Sequence, residues 1–538
     1  MGAQASLQDT LEAALAAHAA GRYAAAVPLL EAVKHRARPP GRIFVALSEA
    51  YGHLGQWDLA VENAEQGVRL TETGQALDQA VAIAKLLIAV HGARGDARAR
   101  YGEVRDALYR ARDARLPPKQ AGVLLRELAA AAVLGEDHDL AGEMLKRFAP
   151  GALGAALPAA VLATATVAEW ARRTGIARRE VVAPRYAVIE TGGLSWEYCV
   201  GGTYLTVIPQ GEGVAGVDRA VAPGGIVLTD SGHLPPSVCS PGYFPCMWFE
   251  PFARVIQSWP ATAQDVDADV LFLAGTEDMA IGHWIIDVIP RLRFLAQPEF
   301  RDFRVAVPGN LGPKHRELLA LAGVTDRLIP VGFGQRCRFR NLLVVEHPSC
   351  NFPTPEPTAF LAHLLRAPGG APARGSRVFI DRAMPTRRIA NREDVLALLS
   401  RYGFETIDLA RLSIAEQRRR LNHAEVAICT YGSDSLAQLM VPPGGDFIEL
   451  NFTERDSGAG GRCAMAGNVY HEFMCAPAGT SALYGYKGSD FTVDTGQLDA
   501  LLTAILARQG RAPPAARVTF ASAGDRDPAL WVKKRSPA

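Results

Sequence analysis

His283 and Asp287 stand four residues apart in the stretch GHWIIDVIPRL, which runs from Gly282 to Leu292 and is otherwise largely apolar. On a helix, positions i and i+4 share a face, so imidazole and carboxylate meet. Such a couple suits general-base chemistry: the carboxylate fixes the imidazole tautomer and the other ring nitrogen takes a proton. Two further readings stay open. Asp287 is itself the base, or the pair is a satisfied polar contact inside a packed helix. Pro290 removes a backbone donor and crowds the carbonyl of Ile286, which predicts a kink there. Arg291 adds a third polar group to the same short stretch.

A second set of groups is cationic. Arg382, Arg387 and Arg388 follow the β-rich run RVFID. Guanidinium groups make bidentate, charge-assisted contacts to phosphate, so the three suit a diphosphate; the alternative is a solvated basic loop. Gly432-Ser433-Asp434-Ser435 lies between the run EVAICTY and the helical SLAQLM. Its backbone N–H groups and the helix start suit an anion. Ser435 or Asp434 as a plain helix cap is the alternative. Glu449, at the end of DFIEL, either accepts from ribose hydroxyls or is a strand-end surface charge. Asp265, Asp267 and Asp269 form D-x-D-x-D ahead of a strand; they read as a turn and helix boundary, and no metal is expected.

Alternating elements must position these groups. DVLFLAG, FRVAVP and NLLVVEH read as strands, with the helical KHRELLALAG among them. After a Pro/Gly loop the pattern repeats as RVFIDR, a helix beginning near Asn391, FETIDL, a helix from the capping box Ser413-x-x-Glu416, EVAICTYG, SLAQLM and DFIEL. Alternation of this kind predicts doubly wound parallel sheets, which hold ligands at the carboxyl ends of their strands. The fold class expected is α/β: two Rossmann-like lobes preceded by an all-α helical domain.

The N-terminal third differs. Gly21-Arg22-Tyr23 and Gly55-Gln56-Trp57 are Gly-x-aromatic turns 34 residues apart, the period of tetratricopeptide helix pairs. Ala26, Leu29 and Leu30, then Phe44, Leu47, Ala50 and Tyr51, supply inner faces at helical spacing. Later turns fall at Gly95 and Gly135. The boundaries expected are a repeat domain over 1–150, a helical linker over 151–185 with a helix from Val161 to Arg173, a first lobe over 186–370, a second over 371–510 and a tail over 511–538. Net charge is +1 and charged residues are 21%, which argues against a nucleic-acid partner. No run reaches the ~20 apolar residues of a membrane span. The eight cysteines form no C-x-x-C pair, which points to a reducing, cytoplasmic setting.

Taken in order, GHWIIDVIPRL, the segment RAMPTRRIAN, the helix start LSIAEQ and the stretch YGSDSLAQLMVPPGGDFIEL resemble glycosyltransferase family 61 over roughly residues 270–455. The resemblance implies a GT-B-like fold and inverting transfer from a nucleotide sugar to a glycan or protein acceptor, without a metal or other cofactor. It places His283 and Asp287 at the acceptor and reaction centre. Arg382, Arg387, Arg388, Gly432, Ser433, Asp434 and Ser435 then lie near the donor nucleotide and Glu449 near its ribose. Two departures stand out: Tyr431 replaces the family's His before Gly, and Ser433, Asp434 and Gln438 replace its small residue and Asn. The helical repeats imply recruitment of an acceptor or a protein partner. The competing expectation is a non-catalytic scaffold with a degenerate transferase domain.

Overall fold

The computed structural model describes residues 7–19, 22–35, 41–54, 56, 58–60, 62–63 and 66, and residues 159–535 apart from 192, 216–219, 229–245, 250–253, 259–261, 275–280, 333–334, 347–353, 367–374, 383–386, 453–457, 479–489, 509–515 and 525–530. At the N-terminus three helices, Leu7–Ala19, Tyr23–Lys34 and Gly41–His53, pack around Leu11, Ala14, Ala26, Leu30, Ile43 and Leu47. Tyr51 donates to Glu31 Oε1 at 2.8 Å and ties the third helix to the second. The turn residue Gly21 lies outside the described residues. Gly55, Trp57 and the turns at Gly95 and Gly135 lie outside the described residues.

The expected helix from Val161 to Arg173 is corrected. Its first part is a strand, Ala159–Ala165, paired antiparallel with Arg254–Ser258 and parallel with Ile226–Leu228. The helix begins only at Val167 because Thr166 and Glu169 form a reciprocal capping box.

Two large sheets follow. The first has 12 strands. Its parallel part runs Leu328–Val331, Arg304–Pro308, Gln264–Phe272, Arg336–Glu346, which is chain order 3-2-1-4. Antiparallel strands extend it, beginning with Thr203–Pro209 and Glu212–Val214 against Arg336–Glu346. Asp265, Asp267 and Asp269 lie inside Gln264–Phe272 rather than before it. The neighbouring strand supplies their counter-charges: Arg338 meets Asp265 at 3.2 Å, and Arg340 meets Asp267 at 3.0 Å and Asp269 at 2.8 Å. Cross-strand ion pairs therefore account for the D-x-D-x-D spacing.

The second sheet is wholly parallel, in the order Phe404–Ile407, Ser376–Ile380, Ala424–Thr430, Asp446–Asn451, Val469–Met474. Numbered along the chain this is 2-1-3-4-5, the flavodoxin-like order. Its topological switch point lies between Ser376–Ile380 and Ala424–Thr430, and ligands of such sheets bind beyond the strand ends there. Ser413 Oγ accepts the Glu416 N–H at 3.1 Å and starts the helix Ile414–Leu421. The Glu416 carboxylate does not complete the box; it pairs with Arg419 and Arg420, which hold it down at about 2.

One apolar core joins the two sheets: Trp284, Ile285 and Val288 share it with Val378, Ile380, Leu436, Met440 and Phe447. One further wall is a four-stranded antiparallel sheet, Arg517–Ser522, Arg185–Thr191, Leu194–Val200, Trp531–Arg535. The residues expected as a tail over 511–538 thus supply both outer strands. Among the described residues no helix is long and apolar enough to cross a membrane.

Candidate active site

The stretch that carries His283 is not one α-helix. Ile281–His283 is a single α-turn, Trp284–Val288 is a π-turn, and Ile289–Ala296 is 3-10. Pro290 supplies the reason. It has no N–H to return to Ile286, so the last available donor, Ile289 N–H, reaches back to Trp284 O and widens the turn. His283 Nδ1 still meets Asp287 Oδ2 at 2.9 Å. The imidazole is 44% exposed and the carboxylate 1% exposed. An ionised carboxylate only accepts, so Nδ1 carries the proton and the accepting lone pair falls on Nε2. A buried acid behind a solvent-facing imidazole is the arrangement that orients a base.

The segment starts against the second sheet. A Cβ added to Gly282 would lie 2.8 Å from Ser433 Oγ and 3.0 Å from Ser433 Cβ. Glycine at 282 thus lets the His283 turn rest directly on the loop after Ala424–Thr430.

That loop is built around Gly432, at φ 133° and ψ −150°, a conformation nearly confined to glycine. A Cβ there would come within 2.5 Å of Arg387 Nη1 and 3.0 Å of Arg382 Nη1. Two guanidinium groups from the loop after Ser376–Ile380 therefore lie against bare backbone. Arg387 also donates to Tyr431 O at 3.3 Å. Replacing Gly432 by Ala combines backbone strain with displacement of both cations. Chemical denaturation will report a loss of about 1–3 kcal/mol; wild-type stability in G432A would show that the close approach carries no weight.

Between these elements lies a cavity of about 200 Å³. Its polar lining is Lys314, Asp381, Arg382, Asp408, Ser433 and Asp434, together with Gln417, over an apolar floor that includes Ile281, Leu436 and Met440. Gln417 donates to Leu409 O at 2.9 Å and Leu412 O at 3.1 Å, and so shapes the loop that presents Asp408. Lys314 Nζ donates to Leu409 O at 2.6 Å and Ala410 O at 2.9 Å. Burial pushes the Lys314 ammonium below its ordinary range, against the pull of Asp408 and Asp434. Burial pushes the Asp434 carboxyl up, partly offset by Arg382.

The residues singled out in the sequence divide. Arg382, Ser433 and Asp434 line the cavity, and Gly432 and Arg387 back them. His283 and Asp287 lie on the segment whose Gly282 lines it. Ser435 is buried and its hydroxyl donates to Gly432 O at 2.7 Å, closing the turn. Arg388 is directed elsewhere: its guanidinium meets Asp490 at 2.7 Å, and Asn391 clasps Val493 through both backbone groups. The RRIAN run therefore fastens the segment 490–493. Glu449 is fully buried and accepts from Tyr470 Oη at 2.6 Å. Its strand continues to Asn451, so it is not the strand-end group expected. Lys314 and Asp408 went unnoticed in the sequence. Their signal was position: each follows a parallel strand, Arg304–Pro308 and Phe404–Ile407 respectively.

A comparison with curated proteins finds no match. Residues 281–448, which span the imidazole–carboxylate pair, the cavity and both guanidinium contacts, match the family model Glycosyltransferase 61, and this supports glycosyl transfer as the activity.

Proposed function

We propose that the chain is an inverting glycosyltransferase that moves a sugar from a nucleotide-sugar donor to a glycan or protein acceptor. In this reading the two sheets are GT-B-like lobes, and the donor's diphosphate meets Arg382, Arg387 and the Gly432-Ser433 backbone. Asp287 holds His283, whose Nε2 takes the proton from the acceptor hydroxyl as it attacks the anomeric carbon. Positive charge at the leaving diphosphate stabilises the transition state. No metal is assigned a role. The N-terminal helices recruit the acceptor or a protein partner.

The observation that carries this reading is the seat of Gly282 on Ser433, which brings the His283 turn to the switch point of the parallel sheet. A scaffold reading has one observation in its favour: Arg382 already faces an anion, Asp434, at 3.5 Å.

Ligand binding separates them. A saturating nucleotide stabilises by about 2.7 kcal/mol at a hundredfold excess over Kd. The melting temperature is expected to rise with one of UDP, GDP, CMP or TDP, and Arg382→Ala to abolish most of that rise. No shift with any of the four removes the donor site and leaves the scaffold.

A further inference from the structure

Asp434 occupies the place where a donor's negative charge is expected. Its Oδ2 is 3.5 Å from Arg382 Nη1, longer than the ~2.7–2.9 Å of a well-formed charge-assisted hydrogen bond. Both side chains line the cavity and are mostly buried, 17% exposed for Arg382 and 21% for Asp434. Arg382 Nε is buried and has no hydrogen-bond partner among the described residues. The guanidinium is thus held loosely by Asp434 and keeps donor capacity that no described residue uses. Buried donors of that kind cost free energy unless a ligand meets them.

The groups around Asp434 come from several elements. Arg382 and Arg387 approach from the loop after Ser376–Ile380, Lys314 from the helix Pro313–Leu321, Asp408 from the end of Phe404–Ile407, and the Cys429 thiol from Ala424–Thr430. Asp381 lines the same cavity but is paired with Arg392. His283, on the segment seated on this loop, is committed to Asp287 through Nδ1.

We propose that Asp434 is a displaceable counter-ion: it holds Arg382 while the site is empty and takes up a proton when the donor's pyrophosphate arrives. The proposal rests on the donor-site reading above. Its physics is direct. An incoming anion beside a carboxylate favours the neutral acid, and desolvation favours it already. The proton comes from solvent and settles on a carboxyl oxygen. Arg382 exchanges Asp434 for a phosphate oxygen, and the neutral Asp434 gains an O–H that can donate to the same group. Binding therefore consumes a proton, so affinity rises as pH falls.

The test uses the full chain and nucleotide sugars, with UDP-glucose, GDP-mannose and TDP-glucose as probes, because their pyrophosphate charges do not titrate near neutral pH. Affinity is measured by calorimetry at pH 5.5 and 7.5. For whichever probe binds, wild-type protein is expected to bind roughly tenfold more tightly at the lower pH, the effect of about one pK unit of coupling. Asp434→Asn is expected to bind at pH 7.5 as wild type does at 5.5, with the pH dependence flattened. Buffers of different ionisation enthalpy should report net proton uptake in wild type and its loss in the variant. Binding that is independent of pH, with Asp434→Asn no tighter and Arg382→Ala weakened, overturns the counter-ion role and leaves the donor site standing. Binding of no probe by either form at either pH overturns both.

Discussion

Asp287→Asn will keep the fold and lower turnover by about 10²–10⁴-fold, the usual worth of a positioned general base. The amide is nearly the same shape as the carboxylate, so the buried position stays filled. Its NH₂ now faces Nδ1 of His283, however, and favours the tautomer with the proton on Nε2. That nitrogen then has no lone pair for the acceptor hydroxyl. His283→Ala distinguishes the two possible bases. If His283 is the base, both variants fall together and the double variant falls no further. If Asp287 acts directly, His283→Ala keeps substantial turnover. Transfer to acceptor is the measurement, with thermal unfolding as the check on folding. Turnover in Asp287→Asn within about threefold of wild type would place the pair outside the chemistry.

The second large effect concerns stability. A chain ending at residue 515 loses Arg517–Ser522 and Trp531–Arg535, both outer strands of the sheet that walls the shared core. Val518 and Phe520 pack against that core and would leave with them. Two partly buried apolar side chains and the lost ladder bonds sum to about 3–5 kcal/mol. Two unpaired edges would also invite association between copies. We expect the shortened chain to unfold at lower denaturant and to run as aggregate on size exclusion. A monodisperse product with the full-length midpoint would contradict the role given to these strands.

What was legible in the sequence divides along lines of distance. Four of the five parallel strands of the second sheet were legible as short β-rich runs, RVFID, FETIDL, EVAICTYG and DFIEL, whereas Val469–Met474 was not, and Arg382 and Ser433 stood out because they follow two of these runs. Thr166-x-x-Glu169 was equally local, and reading it would have moved the helix start from Val161 to Val167. The misread features depend on partners far along the chain. The three aspartates of D-x-D-x-D find their arginines about seventy residues later, at 338 and 340. Arg388 and Asn391 bind a segment a hundred residues on. Lys314 and Asp408 are single polar residues without a motif, and only the folded arrangement shows that they share a cavity. Glu449 looked like a strand end because DFIEL closes one residue later, but Leu450 and Asn451 continue the ladder in register.

The sheet built by residues 185–200 and 517–535 has a consequence for synthesis. Leu194–Val200 ends 317 residues before Arg517 is made (517 − 200). At ~5–20 residues per second the first hairpin leaves the ribosome roughly 15–60 s ahead of its flanking partners. During that interval it presents two open edges and the face bearing Trp196 and Tyr198. The nascent chain is therefore a natural client for chaperones, and slowing translation downstream of the hairpin should lengthen its exposure and lower the yield of native protein.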